Sequence, residues 1–468
     1  MTIFPRILLA VMTFLQIEAQ AQFVFGVDLS YVNEMEDCGA VYTENGIAID
    51  PYSIFSNHGA NLVRLRLWHT PSWYDDLNDG VRYSDFADVR ESIMRAKNAE
   101  MDVLLDFHLS DTWADPGHQV APAAWSGVLN NLAVLQDSLY NYVYQMLYKL
   151  ASENLLPEMV QIGNETNRGI LLSQAQNDGG WVLDWDRNSA LFNTAIQAVR
   201  DVEAVHQTPV QIALHVANPE EAVWYIDQFT DHGVTDFDII GLSYYYQWHD
   251  LTFAEVTDYI GAYKSDYPDK DVMILETAYP WTTVNADGAN NILSAAYPGY
   301  SPFTPANQLK WMTDLTQAVI DGGGSGVVYW EPAWVSTACR TRFALGSSWD
   351  NATFFTADDE LIEEGGIGWM NHNYEFATSV GDIDSTYAGI HVYSDGEKIM
   401  IRDVNGKFKN EVSSISIISV DGKNIAEKSG IIFHESDFLL LDTDVVPGVY
   451  FIRLSGENNI YVARVFLE

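Results

Sequence analysis

The chain is short of positive charge. Its 24 Lys and Arg stand against 65 Asp and Glu, a formal net charge of −41 over 468 residues. That balance excludes nucleic acid as a partner, because phosphate binding works through Lys and Arg that release counterions. It suits a soluble protein acting on a neutral or cationic substrate. Cysteine is scarce, with Cys38 and Cys339 alone. Long apolar runs are scarce too. Ile7–Leu15 is too short to span a bilayer, and no later stretch is longer. There is no His-Glu-x-x-His helix, no zinc-ligand spacing and no Gly-x-Ser-x-Gly elbow, which argues against a zinc or serine hydrolase. A glycine-rich phosphate loop after the first strand is also missing, and with it the mark of a doubly wound nucleotide-binding sheet.

Aromatic residues, in contrast, are plentiful, with 14 Trp and 25 Tyr. They fit either a large core or a surface on which sugar faces stack. The N-terminus has a basic residue, Arg6, an apolar middle, and Ala19-Gln20-Ala21 as a small-residue cleavage site. Residues 1–21 therefore read as a secretory signal peptide, with a mature chain from Gln22.

Two stretches organise the rest. Val160-Gln161-Ile162-Gly163-Asn164-Glu165 and Val272-Met273-Ile274-Leu275-Glu276 are short apolar runs that each end in Glu. Such runs read as fully buried strands. Six more follow the same pattern: Phe23–Asp28, Asn61–Leu67, Asp102–His108, Val210–His215, Phe237–Ser243 and Gly326–Trp330. Helical patterns such as Phe86–Lys97 and Leu135–Leu150 lie between them. Eight such units predict a (β/α)8 TIM barrel over residues 22–385, whose strand ends converge on one mouth. In that barrel Cys38 and Cys339 follow neighbouring strands, the first and the eighth, so a bridge between them is expected.

After about residue 385 the helical patterns stop. Short alternating strands take over at Ile399–Ile401, Val412–Ile418, Gly448–Leu454 and Tyr461–Phe466, with turn signals Asp395-Gly396, Asn405-Gly406 and Asp421-Gly422 between them. Residues 386–468 read as a small antiparallel β-sandwich.

Two strands that deliver one Glu each to a shared mouth make the pair a glycoside hydrolase needs. Glu165 is assigned as general acid/base and Glu276 as nucleophile. Asn164 is placed to bond a sugar 2-hydroxyl. Arg66 and Tyr245 are expected to hold Glu276 ionised, since a cation and a hydrogen bond to the charged form both lower a carboxylate's pKa. Asp106, His108, Asp111, Trp113, His215 and Trp330 complete the expected substrate-binding set.

These residues resemble the family 53 glycoside hydrolases, the endo-β-1,4-galactanases, over residues 23–375. The resemblance rests on Gly26-Val27-Asp28-Leu29-Ser30, Val63–Trp68, Asp106-Phe107-His108 through Pro116-Gly117, Gln161–Glu165, Gly241–Tyr245, Glu276–Trp281 and Tyr329–Trp334. It implies retaining endo-hydrolysis of β-1,4-galactan in type I arabinogalactan and pectin side chains, with Glu165 and Glu276 in the roles given above. It also implies a structural Ca²⁺ in the loop after the seventh strand, on Asn285, Asp287 and Asn291. Residues 390–468 resemble a C-terminal sorting domain of the type IX secretion system. They depart from it at Ser394-Asp395-Gly396 and at the acidic terminus Phe466-Leu467-Glu468, which leaves a plain accessory module as the alternative. The expected protein is a secreted or cell-surface monomer. A barrel hydrolase of β-mannan or β-glucan and a non-catalytic glycan-binding barrel are the rival readings.

Overall fold

The computed structural model describes residues 23–376, apart from 78–79, 181–182, 339 and 341–343, and seven strand segments between 390 and 467. By contacts the chain divides into one unit that ends at Asn373 and a second, Tyr374–Glu468. The division falls earlier than the 385/386 boundary expected from composition. The expected signal peptide lies outside the described residues, as do the C-terminal turn signals.

The first unit is a closed barrel of eight strands, β1 (Val24–Asp28), β2 (Leu62–Leu67), β3 (Asp102–Phe107), β4 (Met159–Ile162), β5 (Gln211–Ala217), β6 (Ile239–Ser243), β7 (Asp271–Thr277) and β8 (Gly326–Tyr329). Each strand pairs in parallel with its neighbours in sequence, and β1 closes the ring on β8. Parallel strands need a crossover between them. The crossovers here carry α1 (Pro51–Asn57), α2 (Phe86–Asn98), α3 (Leu132–Ser152), α4 (Trp185–His206), α5 (Pro219–Asp231), α6 (Phe253–Asp266) and α7 (Pro305–Asp321). In α3 the buried residues Leu135, Leu139, Val143, Leu147 and Leu150 follow helical spacing and form its inner face. Helix starts are marked chemically. Thr252 and Glu255 form a capping box at α6, and the Thr304 side chain accepts from Asn307 N–H at α7, where Pro305 follows.

The barrel interior is filled, not hollow. Leu62, Leu104, Met159, Ala213, Ile239, Met273, Leu275 and Val328 form one buried cluster, with Val24 packed against it. Every strand therefore contributes to this apolar plug. Inward residues alternate along a strand, so the next inward positions toward the C-terminal rim are Arg64 on β2, Asp106 on β3, Gln161 on β4 and His215 on β5. The plug ends where this polar layer begins.

The second unit has two antiparallel sheets. One has three strands, β9 (Ile390–Ser394), β10 (Lys398–Asp403) and β13 (Phe438–Asp442). The other has four: β11 (Val412–Ser419), β12 (Asn424–Ile432), β14 (Gly448–Ser455) and β15 (Ile460–Leu467). Strands β9, β12 and β13 were not expected from sequence. In β12, Asn424-Ile425-Ala426-Glu427-Lys428-Ser429-Gly430 offers no apolar alternation to read.

Gly241 shows how closely the plug is packed. A Cβ there would lie 2.3 Å from Leu275 Cδ1 and 3.0 Å from the Leu214 carbonyl oxygen. Gly241→Ala is expected to cost about 1–3 kcal/mol through overpacking, read as a lower midpoint in urea unfolding with an unchanged slope. An unshifted midpoint would show that the β6–β7 contact is looser than this geometry.

Candidate active site

The two Glu reach the mouth by different backbone devices. On β7, Met273 and Leu275 face inward, so simple alternation would turn Glu276 outward. The β6–β7 register shifts here, with Leu242 opposite Ile274 but Ser243 opposite Glu276. This bulge inserts one residue and re-aims Glu276 into the mouth. On the other side β4 ends at Ile162, and Gly163 follows with φ +76°. A Cβ on Gly163 would lie 2.6 Å from Thr166 Cγ2. Glu165 itself has φ +44°, uncommon for a side chain of its size.

Arg64 lies against Glu276, fully buried. Its Nη1 lies 2.9 Å from Glu276 Oε1 and 2.9 Å from Asp28 Oδ2. Its Nη2 donates to Asp106 Oδ2 at 2.7 Å and Asn164 Oδ1 at 2.7 Å, and its Nε to Gln161 Oε1 at 3.1 Å. The second oxygen of Glu276 accepts from the Tyr245 hydroxyl at 3.3 Å. One guanidinium thus faces three carboxylates, and the layer stays negative. Burial pushes Glu276 up to about 7; Arg64 opposes the rise while Asp28 and Asp106 add to it. Glu165 is raised well above the ordinary carboxylate range, first by burial and then by the charge of Glu276. Glu165 lacks an ion pair such as Glu276 makes with Arg64, so the proton this pair shares belongs on Glu165.

Above the pair lies a cleft of about 450 Å³ lined by Trp113, Trp248, Trp330, Trp334 and Trp349, with Asn164, Tyr245 and Asp115. Trp330 and Trp349 meet edge-on at 4.6 Å, and Trp349 Nε1 donates to the Trp330 carbonyl at 3.1 Å. Trp248 is 51% exposed and presents an open ring at the rim. The arrangement is an aromatic trough, with Asp115 in its lining, above one protonated and one ionised carboxyl. Such a trough can hold a sugar chain by its apolar faces.

Of the expected residues, Asn164, Glu165, Trp113, Tyr245, Glu276 and Trp330 line this cleft. Others are corrected. Arg66 does not hold Glu276. It pairs with Glu331 at 2.9 Å, and its guanidinium lies 4.3 Å under the Trp113 ring. Alternation turns both Arg64 and Arg66 inward, and Arg64 is the one that reaches Glu276. Asp106, His108 and His215 are buried and are not among the residues that line the cleft. Asp106 binds Arg64, and His108 Nδ1 lies 3.1 Å from Asp106 Oδ2. Asp111 accepts from Thr70 N–H and Ala123 N–H and shapes a loop. Cys38 is disulfide-bonded, while Cys339 lies outside the described residues. Missed were Arg64 and Trp349. The inward alternation of β2 was the available signal for Arg64. Trp349 follows no strand and carried no signal.

Comparison with known proteins agrees with this geometry. The sequence pattern of glycosyl hydrolase family 53 matches residues 24–365. An arabinogalactan endo-beta-1,4-galactanase of Cellvibrio japonicus is 46% identical over 353 residues, which cover 75% of this chain and 91% of that protein. An endo-beta-1,4-galactanase of Bacillus subtilis is 33% identical, over 72% of this chain and 78% of its own. Among solved structures, a family 53 catalytic domain of Ignisphaera aggregans aligns with a TM-score of 0.66 and 30% identity, over 76% of this chain and 97% of that one.

The expected calcium residues Asn285, Asp287 and Asn291 do come together, around Asp350. Asp287 Oδ2 accepts from Ser347 N–H at 2.6 Å and the Ser336 hydroxyl at 2.7 Å, and its Oδ1 from Ala289 N–H at 2.7 Å. Asn291 donates to Asp350 at 2.6 Å, and Asn285 donates to the Ala289 carbonyl at 2.6 Å. The carboxylate oxygens are thus taken by N–H and O–H donors, and the loop does not fit a cage of about six to eight oxygen ligands. The expected outcome is a melting temperature unmoved by excess chelator or by millimolar calcium. A rise with calcium that chelator reverses would restore the metal site.

Proposed function

From the membership of this chain in glycosyl hydrolase family 53, we propose that it is an endo-hydrolase of β-1,4-galactan acting with retention. The observation that carries the reading is the unequal treatment of two carboxyls in one aromatic cleft. Glu276 lies on Arg64 at 2.9 Å, while Glu165 has no such partner and lies in the field of Glu276. The galactan assignment is supported by the names of the relatives, which are galactanases.

In this mechanism a Glu276 oxygen attacks the anomeric carbon as the glycosidic bond breaks. Glu165 gives its proton to the departing oxygen. The product of this step is a glycosyl ester on Glu276 and a carboxylate on Glu165. Charge leaves Glu276 as the ester forms, so Glu165 then ionises more readily and serves as base toward water. Water attacks the anomeric carbon from the face the first leaving group occupied, and the ester bond breaks. Asn164 Nδ2 donates one hydrogen to the Ala114 carbonyl at 2.8 Å, which leaves its second for a sugar hydroxyl. Trp113, Trp248, Trp330, Trp334 and Trp349 supply stacking surface without charge.

Export belongs to the same reading. Its supports are the signal-like residues 1–21 and the half-cystine at Cys38, since disulfides persist in oxidising compartments. Among the described residues no helix is long and apolar enough to cross a membrane. The second unit is read as a sorting or accessory module on its sequence resemblance.

The test is reducing-sugar release from β-1,4-galactan beside β-mannan and β-glucan. We expect release from galactan alone. Glu165→Gln should lower kcat roughly 10²–10⁴-fold, and Glu276→Gln should abolish turnover. Activity confined to another glycan would refute the substrate and keep the carboxyl pair. Full activity in either variant would refute the site. Proton NMR of the first products should show the β-anomer ahead of mutarotation; an initial α-anomer would exclude the double displacement.

A further inference from the structure

One wall of the cleft is built from three separate loops. Trp248 and His249 follow β6, Ile292 follows β7, and Ser348 and Trp349 follow β8. The middle loop runs from β7 to α7 with no helix or strand among its described residues. Backbone groups that have no ladder need side-chain partners. Gln247 partners three of them. Its Oε1 accepts from Ser294 N–H at 2.7 Å and Ala295 N–H at 3.0 Å, and its Nε2 donates to the Ile292 carbonyl at 2.9 Å. Two N–H groups converge on one end of the amide and a carbonyl meets the other, so the amide has one orientation that fits. On the other side of the same loop Ile292 N–H donates to the Ser348 carbonyl at 3.0 Å, and Asn351 Nδ2 to the Leu293 carbonyl at 2.8 Å. Residues 292–295 are thus tied to the segment after β6 and to the segment after β8.

Gln247 lies in a single helical turn, Tyr246–His249. Tyr245 closes that turn. Its carbonyl accepts from Trp248 N–H at 3.1 Å and His249 N–H at 3.0 Å, and its own N–H donates to His249 Nδ1 at 3.1 Å. The clasp therefore starts one residue before Trp248 and ends at the backbone of Ile292. Both of those side chains line the cleft, and both are open to solvent, Trp248 at 51% and Ile292 at 46% exposure. Tyr245 links this edge to the chemistry. Its ring meets Trp248 edge-on at 4.9 Å, and its hydroxyl donates to Glu276. Trp248 is thus one aromatic ring removed from the nucleophile.

We propose that Gln247 is a positioning residue for the substrate chain: it holds the loop after β7 against the turn that carries Trp248, so that Trp248 and Ile292 together form an apolar platform for a galactose residue beyond the one at the carboxyls. Exposed apolar side chains on loops lose freedom when a ligand seats on them, and that loss weakens binding. The clasp removes the loss in advance, because the platform is set before the sugar arrives. The platform lies away from the bond that breaks, so it serves the bound chain equally in the ground state and the transition state. Its contribution therefore belongs to KM and not to kcat.

The proposal rests on the reading of this cleft as a galactan site. The test is steady-state hydrolysis of β-1,4-galactan. Gln247→Ala should raise KM about 3–10-fold and leave kcat within about twofold. Gln247→Met, which fills the same space without the bonds, should do the same. In a Trp248→Ala background, Gln247→Ala should raise KM by less than about twofold, because the platform has already lost its ring. An unmoved KM in the Gln247 variants, a kcat that falls as far as kcat/KM, or a full further rise in the Trp248→Ala background would each overturn the proposal and leave the function standing. Trp248→Ala alone decides the platform even if neither Gln247 variant folds: KM should rise, and an unmoved KM would overturn the proposal. Full activity in Glu165→Gln would instead refute the function itself.

Discussion

The bond on which the site depends is the buried contact of Arg64 with Glu276. Arg64 projects from β2 and touches groups delivered by β1, β3, β4 and β7 or by the residues just after them. It therefore sets the relative position of half the barrel's strands at the level of the chemistry. A guanidinium suits this task because its five donors lie in a rigid plane and serve several acceptors at once. Taking it out of water is costly, and removing one partner of a buried pair destabilises by about 3–5 kcal/mol. The barrel accepts that cost where the apolar plug ends. Below that level Leu62, Leu104 and Met159 pack without polar atoms.

The same residue decides which carboxyl carries the proton. Burial raises both Glu165 and Glu276. If burial acted alone the two would compete on equal terms. Arg64 breaks the tie by its contact with Glu276, and the negative charge it preserves there raises Glu165 further. The excess of carboxylates over cations in this layer is thus functional. A second arginine beside Glu276 would release the Glu165 proton too early. The other inward arginine of β2 is instead committed to Glu331, under Trp113, where it braces the aromatic trough.

Much of this was legible in the sequence, for a physical reason. Barrel strands are buried on both faces and read as short apolar runs, so all eight were found with their ends nearly right. The two Glu stand where such runs meet the mouth. The roles of Arg66, Asp106 and His215 were not legible. Alternation says which residues point inward, but not whether an inward residue reaches the cleft or stops one layer below it. The choice between Arg64 and Arg66 is a question of depth, and depth depends on strand tilt and register that one strand's sequence does not contain. Trp349 was missed because it follows no strand, and β12 because its residues lack alternation.

The two Glu also show why regular pattern and function part company at the same positions. A residue that continued its strand in register would end in the plug or in the helix layer. To face the mouth, the chain must leave the regular form. On β7 it does so by a bulge at Glu276, and after β4 by left-handed backbone at Gly163 and Glu165. Left-handed φ at a residue such as Glu costs on the order of 1 kcal/mol or more, so something must hold it there. Glu165 N–H donates to His215 Nδ1 at 3.3 Å, and Thr166 N–H donates to the His215 carbonyl at 2.9 Å. One buried histidine on β5 therefore takes up two successive amides of the strained turn. The strained turn that carries the acid is thus held by one residue of the neighbouring strand, through its ring and its own carbonyl.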